Sequence, residues 1–329
     1  MEREDDFGCR EVLPVVRNDL ILGILATALG VTIGLGASAE SPKGLVSYKD
    51  ILARQSPLAD RRIAYGSDPR QFGELWLPAR PGRARVVVVI HGGCWQAALP
   101  GLELMNGVAD DLRRRGYAVW NIEYRRLGHP GGGYPGTFED VGRAIDFLRV
   151  IARTDHLDLG HVVVVGHSAG GHLALWAAGR QRLPFDSPLR SPRPLRIGGV
   201  LTLAGINDLA AYRAKGPDAC GGPTTIDQLV GADSRPAARI YADTSPVDLL
   251  PLGARQTIVS GGLDPIVPAS FGHGWVEAAR ARGDSPTELD LPRAGHFELI
   301  DPSDPDWNIV ARAIRRLARG AWRAPRDGA

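Results

Sequence analysis

Three short runs in this 329-residue chain carry residue types that can do chemistry together. Gly166-His167-Ser168-Ala169-Gly170 is a GxSxG. Four valines (162–165) precede it and the helical pattern GGHLALWAAGR follows, the strand–turn–helix that a nucleophile elbow requires. At such a turn the Ser168 hydroxyl projects above the sheet beside a helix N-terminus, and Gly166 and Gly170 let neighbouring backbone come close. A serine hydroxyl is a weak nucleophile until a base takes its proton, so an imidazole and an orienting carboxylate are needed. His296, in RAGHFELI, and Asp264, in SGGLDPIVP just past an apolar strand-like run, meet that need in the order Ser, Asp, His. Asp208, which follows an earlier strand, is the strongest competitor for the acid; Asp248, Glu298 and Asp301 are weaker ones. The third run, His91-Gly92-Gly93-Cys94-Trp95, follows the strand pattern RVVVVI. Glycines there let backbone N–H groups reach the oxygen that gains charge in acyl transfer, and the N–H of Ala169 completes such a hole.

The elements that must hold these residues alternate. Near-continuous apolar runs at 84–92, 117–125, 161–168, 196–206 and 255–262 read as strands buried on both faces, with a shorter one at 287–292. Helical patterns at 102–115, 138–153, 170–181, 270–282 and 305–319 lie between or after them, and Thr137-x-x-Asp140 reads as a capping box for the second. Residues 61–67 and 73–78 suggest a leading antiparallel hairpin. The pattern predicts an α/β domain over 61–329 with a mostly parallel central sheet and helices on both faces. Residues 207–251, rich in Gly, Pro, Asp and Ala, interrupt the rhythm and are expected to form a small lid over the carboxyl edge of the sheet.

Composition is that of a globular protein, 44% hydrophobic and 23% charged, and a net charge of +2 gives no sign of a nucleic-acid partner. HExxH, Walker A and CxxC are absent, so neither a metal nor a cofactor is implied. The N-terminal 39 residues stand apart. Leu20–Ala39 is uncharged and ends in Ala37-Ser38-Ala39, which reads as a signal peptide cleaved after Ala39 and hence a secreted or periplasmic protein. An acidic start and a length of about 20 apolar residues keep a membrane anchor as the alternative. Residues 40–60 read as a linker or lead-in.

Across about residues 61–319 the chain resembles the α/β-hydrolase superfamily. HGGCW, GHSAGGHLA, SGGLDPIVP and GHFELID resemble its esterase/lipase branch, with kynurenine formamidase-like and feruloyl/acetylxylan esterase-like enzymes. The resemblance implies a triad of Ser168, Asp264 and His296, an oxyanion hole from the N–H groups of Gly93, Cys94 and Ala169, and Trp95 as a pocket wall, against which stands a packing role under the lid. It also implies a small-molecule ester as substrate, with an aryl formamide as the alternative and a non-catalytic binding protein of the same fold as the rival class. Cys94 and Cys220 are candidates for a disulfide in an oxidising compartment, a pairing that spacing leaves open.

Overall fold

A computed structural model describes residues 44–319. In chain order the elements are α1 (Tyr48–Ala53), β1 (Arg61–Ala64), β2 (Phe72–Trp76), β3 (Ala84–Ile90), α2 (Asn106–Arg114), β4 (Ala118–Ile122), α3 (Gly136–Asp146), α4 (Leu148–Asp155) and β5 (Leu157–His167). They continue with α5 (Ala169–Gly179), β6 (Gly199–Leu203), α6 (Leu209–Lys215), α7 (Gly222–Val230), β7 (Arg255–Gly261), α8 (Ala269–Ala281), β8 (Thr287–Leu291) and α9 (Trp307–Arg319). Residues 1–39, expected to be a signal peptide or anchor, lie outside the described residues. No helix among those described is long and apolar enough to cross a membrane.

One sheet of eight strands runs in the order β1-β2-β4-β3-β5-β6-β7-β8. β2 is antiparallel to β1 and β4, whereas β4, β3, β5, β6, β7 and β8 are mutually parallel. Neighbouring side chains on a strand point to opposite faces, and every residue of β4 and β6 is buried, so layers cover the sheet on both sides. Since β3, β5, β7 and β8 are parallel, the loops after them emerge along one edge. Those loops carry the HGGCW run, Ser168, Asp264 and His296. Parallel α/β sheets place their sites along that edge, where the chain switches from one side of β3 to the other.

Some expected elements changed form. The helix at 138–153 is two helices broken at Phe147. Thr137 and Asp140 do not make a capping box, because tertiary partners take both side chains. Thr137 donates to the carbonyl of Arg125 (2.5 Å), and Asp140 receives Arg125 and Gln71. The segment 207–251 contains two helices, α6 and α7, joined by short 3-10 turns. Within the expected lead-in, Ser47 and Asp50 cap α1 reciprocally, and Arg54 beyond it pairs with Asp301.

Two glycines test the packing. A Cβ on Gly170 would overlap the backbone oxygens of Ile90 and His91 at the end of β3, which cannot move without breaking the sheet. Gly274, on α8, faces open space. Gly170→Ala is expected to lower stability by about 3 kcal/mol or to prevent folding, whereas Gly274→Ala is expected to raise it by roughly 0.5–1 kcal/mol. Urea midpoints of the two variants check both.

Candidate active site

The elbow is built as the valine run and glycines require. β5 ends at His167, Ser168 takes φ 55° and ψ −121°, and α5 begins at Ala169. A non-glycine residue in that region is strained, and backbone bonds hold it. The Ser168 N–H donates to Leu203 O (2.8 Å), while Ser168 O accepts from Gly171 (2.8 Å) and Ile206 (3.3 Å). A Cβ on Gly166 would overlap Gly170 O, so the turn closes only with glycine at that position.

His296 and Asp264 meet in the folded chain. His296 Nδ1 lies 2.7 Å from Asp264 Oδ2, both residues being buried. The other oxygen of Asp264 accepts the N–H groups of Ile266 (2.8 Å) and Val267 (2.9 Å), which orient the carboxylate. His296 lies against the elbow. The ring of His167, next to Ser168, is 4.5 Å from the His296 ring, and its Nε2 is 3.1 Å from His296 O. Three of the four competing acids are engaged elsewhere. Asp208 caps α6 through Ala211 N (3.0 Å), Glu298 accepts Val46 N (2.6 Å), and Asp301 takes Arg54.

The HGGCW loop lies against the same turn. A Cβ on Gly92 would come within 3.0 Å of Ser168 Cβ, so this loop and the elbow touch. Gly93, Cys94 and Trp95 follow one another at φ 94°, 49° and 56°, a left-handed run that curls the loop. The N–H groups of Gly93, Cys94 and Ala169 donate to no acceptor among the described residues. Trp95 is fully buried, and its indole N–H donates to His172 Nδ1 (3.2 Å). The side chain is thus packed between the HGGCW loop and α5.

A network that the motifs did not reveal supports the loop. His91 directs one nitrogen at Gly92 O (2.7 Å) and the other at Glu123 (3.1 Å). Burial opposes the Glu123 charge, yet the His91 ring and Arg126 outweigh it and hold the carboxyl down to about 2. Arg126 in turn donates to the carbonyls of Gln96, Leu99 and Pro100 (2.7–3.1 Å). The run NIEYRR (121–126) supplies both Glu123 and Arg126 to this network.

The segment 207–251 is tied to the loop three times. Cys94 and Cys220 form a disulfide, with Cα atoms 5.2 Å apart. Gln96 donates to Cys220 O (3.0 Å) and Thr225 (3.3 Å). His172 accepts Trp95 at Nδ1, so its proton sits on Nε2 and is donated to Thr244 O (2.8 Å). Burial pushes this imidazole down to about 4, against the opposing bond to Thr244.

An eight-stranded, mostly parallel sheet carrying this elbow is the α/β-hydrolase fold. The sequence matches the BD-FAE family over residues 74–274, and the chain belongs to that family. The esterase LipC of Mycobacterium tuberculosis is 27% identical over 274 residues, 79% of this chain and 65% of that protein. The probable carboxylic ester hydrolase LipM of the same organism is 26% identical over 252 residues, 73% of this chain and 57% of its own. The chain thus spans under two thirds of the length of these curated relatives. Among solved structures, esterase B from Lactobacillus rhamnosis superposes with a TM-score of 0.68 at 21% identity, covering 82% of this chain and 90% of that one. Esterase 2 of Thermogutta terrifontis superposes with a TM-score of 0.65 at 19% identity, covering 83% and 99%.

The buried histidine gives stability a pH dependence. The unfolded chain's imidazole takes a proton near 6.5, but folded His172 does so only at about 4. Between those values the unfolded state holds the extra proton, so stability falls as pH drops through this window and levels off below it. The loss is roughly 3 kcal/mol in full. Denaturant midpoints from pH 7 to 4.5 are expected to decline, with a shallower slope in His172→Phe. The disulfide closes a span of 126 residues; replacing both cysteines by alanine is expected to lower stability by about 3 kcal/mol, read by the same measurement.

Proposed function

We propose that this protein is a serine hydrolase of carboxylic esters, acting through an acyl-enzyme. The observation that carries the reading is the buried 2.7 Å contact between Asp264 and His296, held against the strained turn of Ser168. Its relatives support it: both mycobacterial proteins are described as ester hydrolases.

Ser168 Oγ attacks the ester carbonyl carbon while His296 Nε2 takes its proton. The oxyanion is met by the N–H groups of Gly93, Cys94 and Ala169. The carbon–oxygen bond to the alcohol breaks, and His296 returns the proton to the leaving oxygen. Water, deprotonated by His296, then attacks the acyl-serine, and the proton returns to Ser168 as the acid leaves. Asp264 keeps the imidazole proton on Nδ1 and stabilises the imidazolium. Trp95 shapes the site from behind, holding the HGGCW loop through His172. The substrate is a small ester with a short acyl chain or an aryl group.

The protein acts after export. The run ending in Ala37-Ser38-Ala39 supports this, as does the Cys94–Cys220 disulfide, a bond that persists in oxidising compartments.

With p-nitrophenyl acetate, Ser168→Ala is expected to abolish turnover and fluorophosphonate labelling, and Asp264→Asn to lower kcat by roughly 10³–10⁴-fold. A folded Ser168→Ala variant that keeps most of the activity overturns the assignment. Absence of labelling in the wild type favours a binding protein. Faster turnover of an N-formyl arylamine than of aryl esters, measured side by side, favours the formamidase chemistry.

A further inference from the structure

The residue before Ser168 takes no part in the relay above, yet it is a fully buried imidazole at the centre of the site. Its geometry fixes its state. His167 Nε2 lies 3.1 Å from the backbone carbonyl of His296. A carbonyl only accepts, so Nε2 carries the hydrogen and donates it. The other nitrogen, Nδ1, is buried with no hydrogen-bond partner among the described residues and lies against Gly92, where a Cβ would come within 3.0 Å of it. A second proton there would be a buried charge without an acceptor. The titratable groups that face the ring are His296, at 4.5 Å between centroids, and His91; Phe297 packs at 5.7 Å. Burial, with these two histidines adding to it, keeps the ring well below the usual imidazole range.

We infer that His167 is the positioning residue for His296, a permanently neutral donor that clamps the backbone of the base-bearing loop to the nucleophile's own strand. This rests on the proposed role of Ser168 and His296 and adds a requirement to it. Ser168 and His296 come from loops after β5 and β8, with β6 and β7 between them in the sheet. His167 is a direct bridge between those loops: its backbone is peptide-bonded to Ser168, and its ring makes one hydrogen bond to the carbonyl of His296. Neutrality matters as much as the bond. When His296 takes the proton of Ser168 it becomes cationic, and a charged ring 4.5 Å away would oppose that step. A neutral ring imposes no such cost.

The test uses two variants of the full chain. In His167→Gln the amide nitrogen reaches the place of Nε2 and can donate to His296 O. His167→Met has similar volume and no donor. With p-nitrophenyl acetate, His167→Met is expected to lose roughly 10- to 100-fold in kcat, as for a reacting group displaced by about 1 Å, with KM nearly unchanged. His167→Gln is expected to regain most of that loss, and fluorophosphonate labelling of Ser168 is expected to slow in parallel with kcat. Equal impairment of the two variants, or a His167→Met enzyme with unchanged kcat, overturns the inference. Should His167→Met fail to fold, ¹⁵N-histidine NMR of the wild type decides, with the signal assigned by its loss in His167→Gln. Expected is an Nε2–H tautomer that does not titrate between pH 5 and 9; titration in that range, or an Nδ1–H tautomer, overturns it. Ser168→Ala keeps the two ideas apart. If it retains turnover, the hydrolase reading fails; if it is inactive while His167→Met is not impaired, only the role of His167 fails.

Discussion

The architecture of the site depends on backbone meeting backbone with no side chain between. Gly170, at the start of α5, lies against the carbonyl oxygens at the end of β3, and Gly166 lies against Gly170 itself. These contacts set the first turn of α5 close against the sheet and hold Ser168 in its strained positive-φ conformation. They also bring the loop after β3 to within van der Waals distance of the serine. Strain at one residue is thus held by a rigid sheet on either side, where the scaffold over-determines it.

From that point the site is a convergence of four loops on one edge, and the ties that hold them differ. The serine is held by main-chain bonds, and Asp264 by the N–H groups of its own loop. The HGGCW loop rests on buried charge: His91, Glu123 and Arg126 form a chain in which each ionic group has a partner and the last one gathers three carbonyls. Breaking one member would leave an uncompensated charge in the interior, which is far costlier than losing a surface pair.

The parts of this picture visible in the sequence are those encoded locally. Valine runs announce strands buried on both faces, and GxSxG is read by its strand and helix neighbours. Asp264 stood out because it follows a strand, and its pairing with His296 is what the fold shows. What could not be read is contact between distant side chains. Thr137 and Asp140 have capping-box spacing, but Arg125, Gly133 and Gln71 claim them. Nothing in the spacing of Cys94 and Cys220 decided their pairing. The packing of Trp95 against His172 was equally hidden, because it joins the loop after β3 to α5 across 77 positions of the chain. Ser47 and Asp50 did carry a local capping signal within a stretch that otherwise reads as a linker.

The disulfide from Cys94 to Cys220 joins the curled loop beside the serine to the cover above it. Covers of this kind are commonly pictured as hinged doors. Here the panel is bolted to the doorframe: swinging the part around Cys220 would drag the curled loop at 93–95 with it. The stretch around Cys220 therefore travels only together with residues 93–95, while the parts of 207–251 further along the chain are fastened by hydrogen bonds and packing alone.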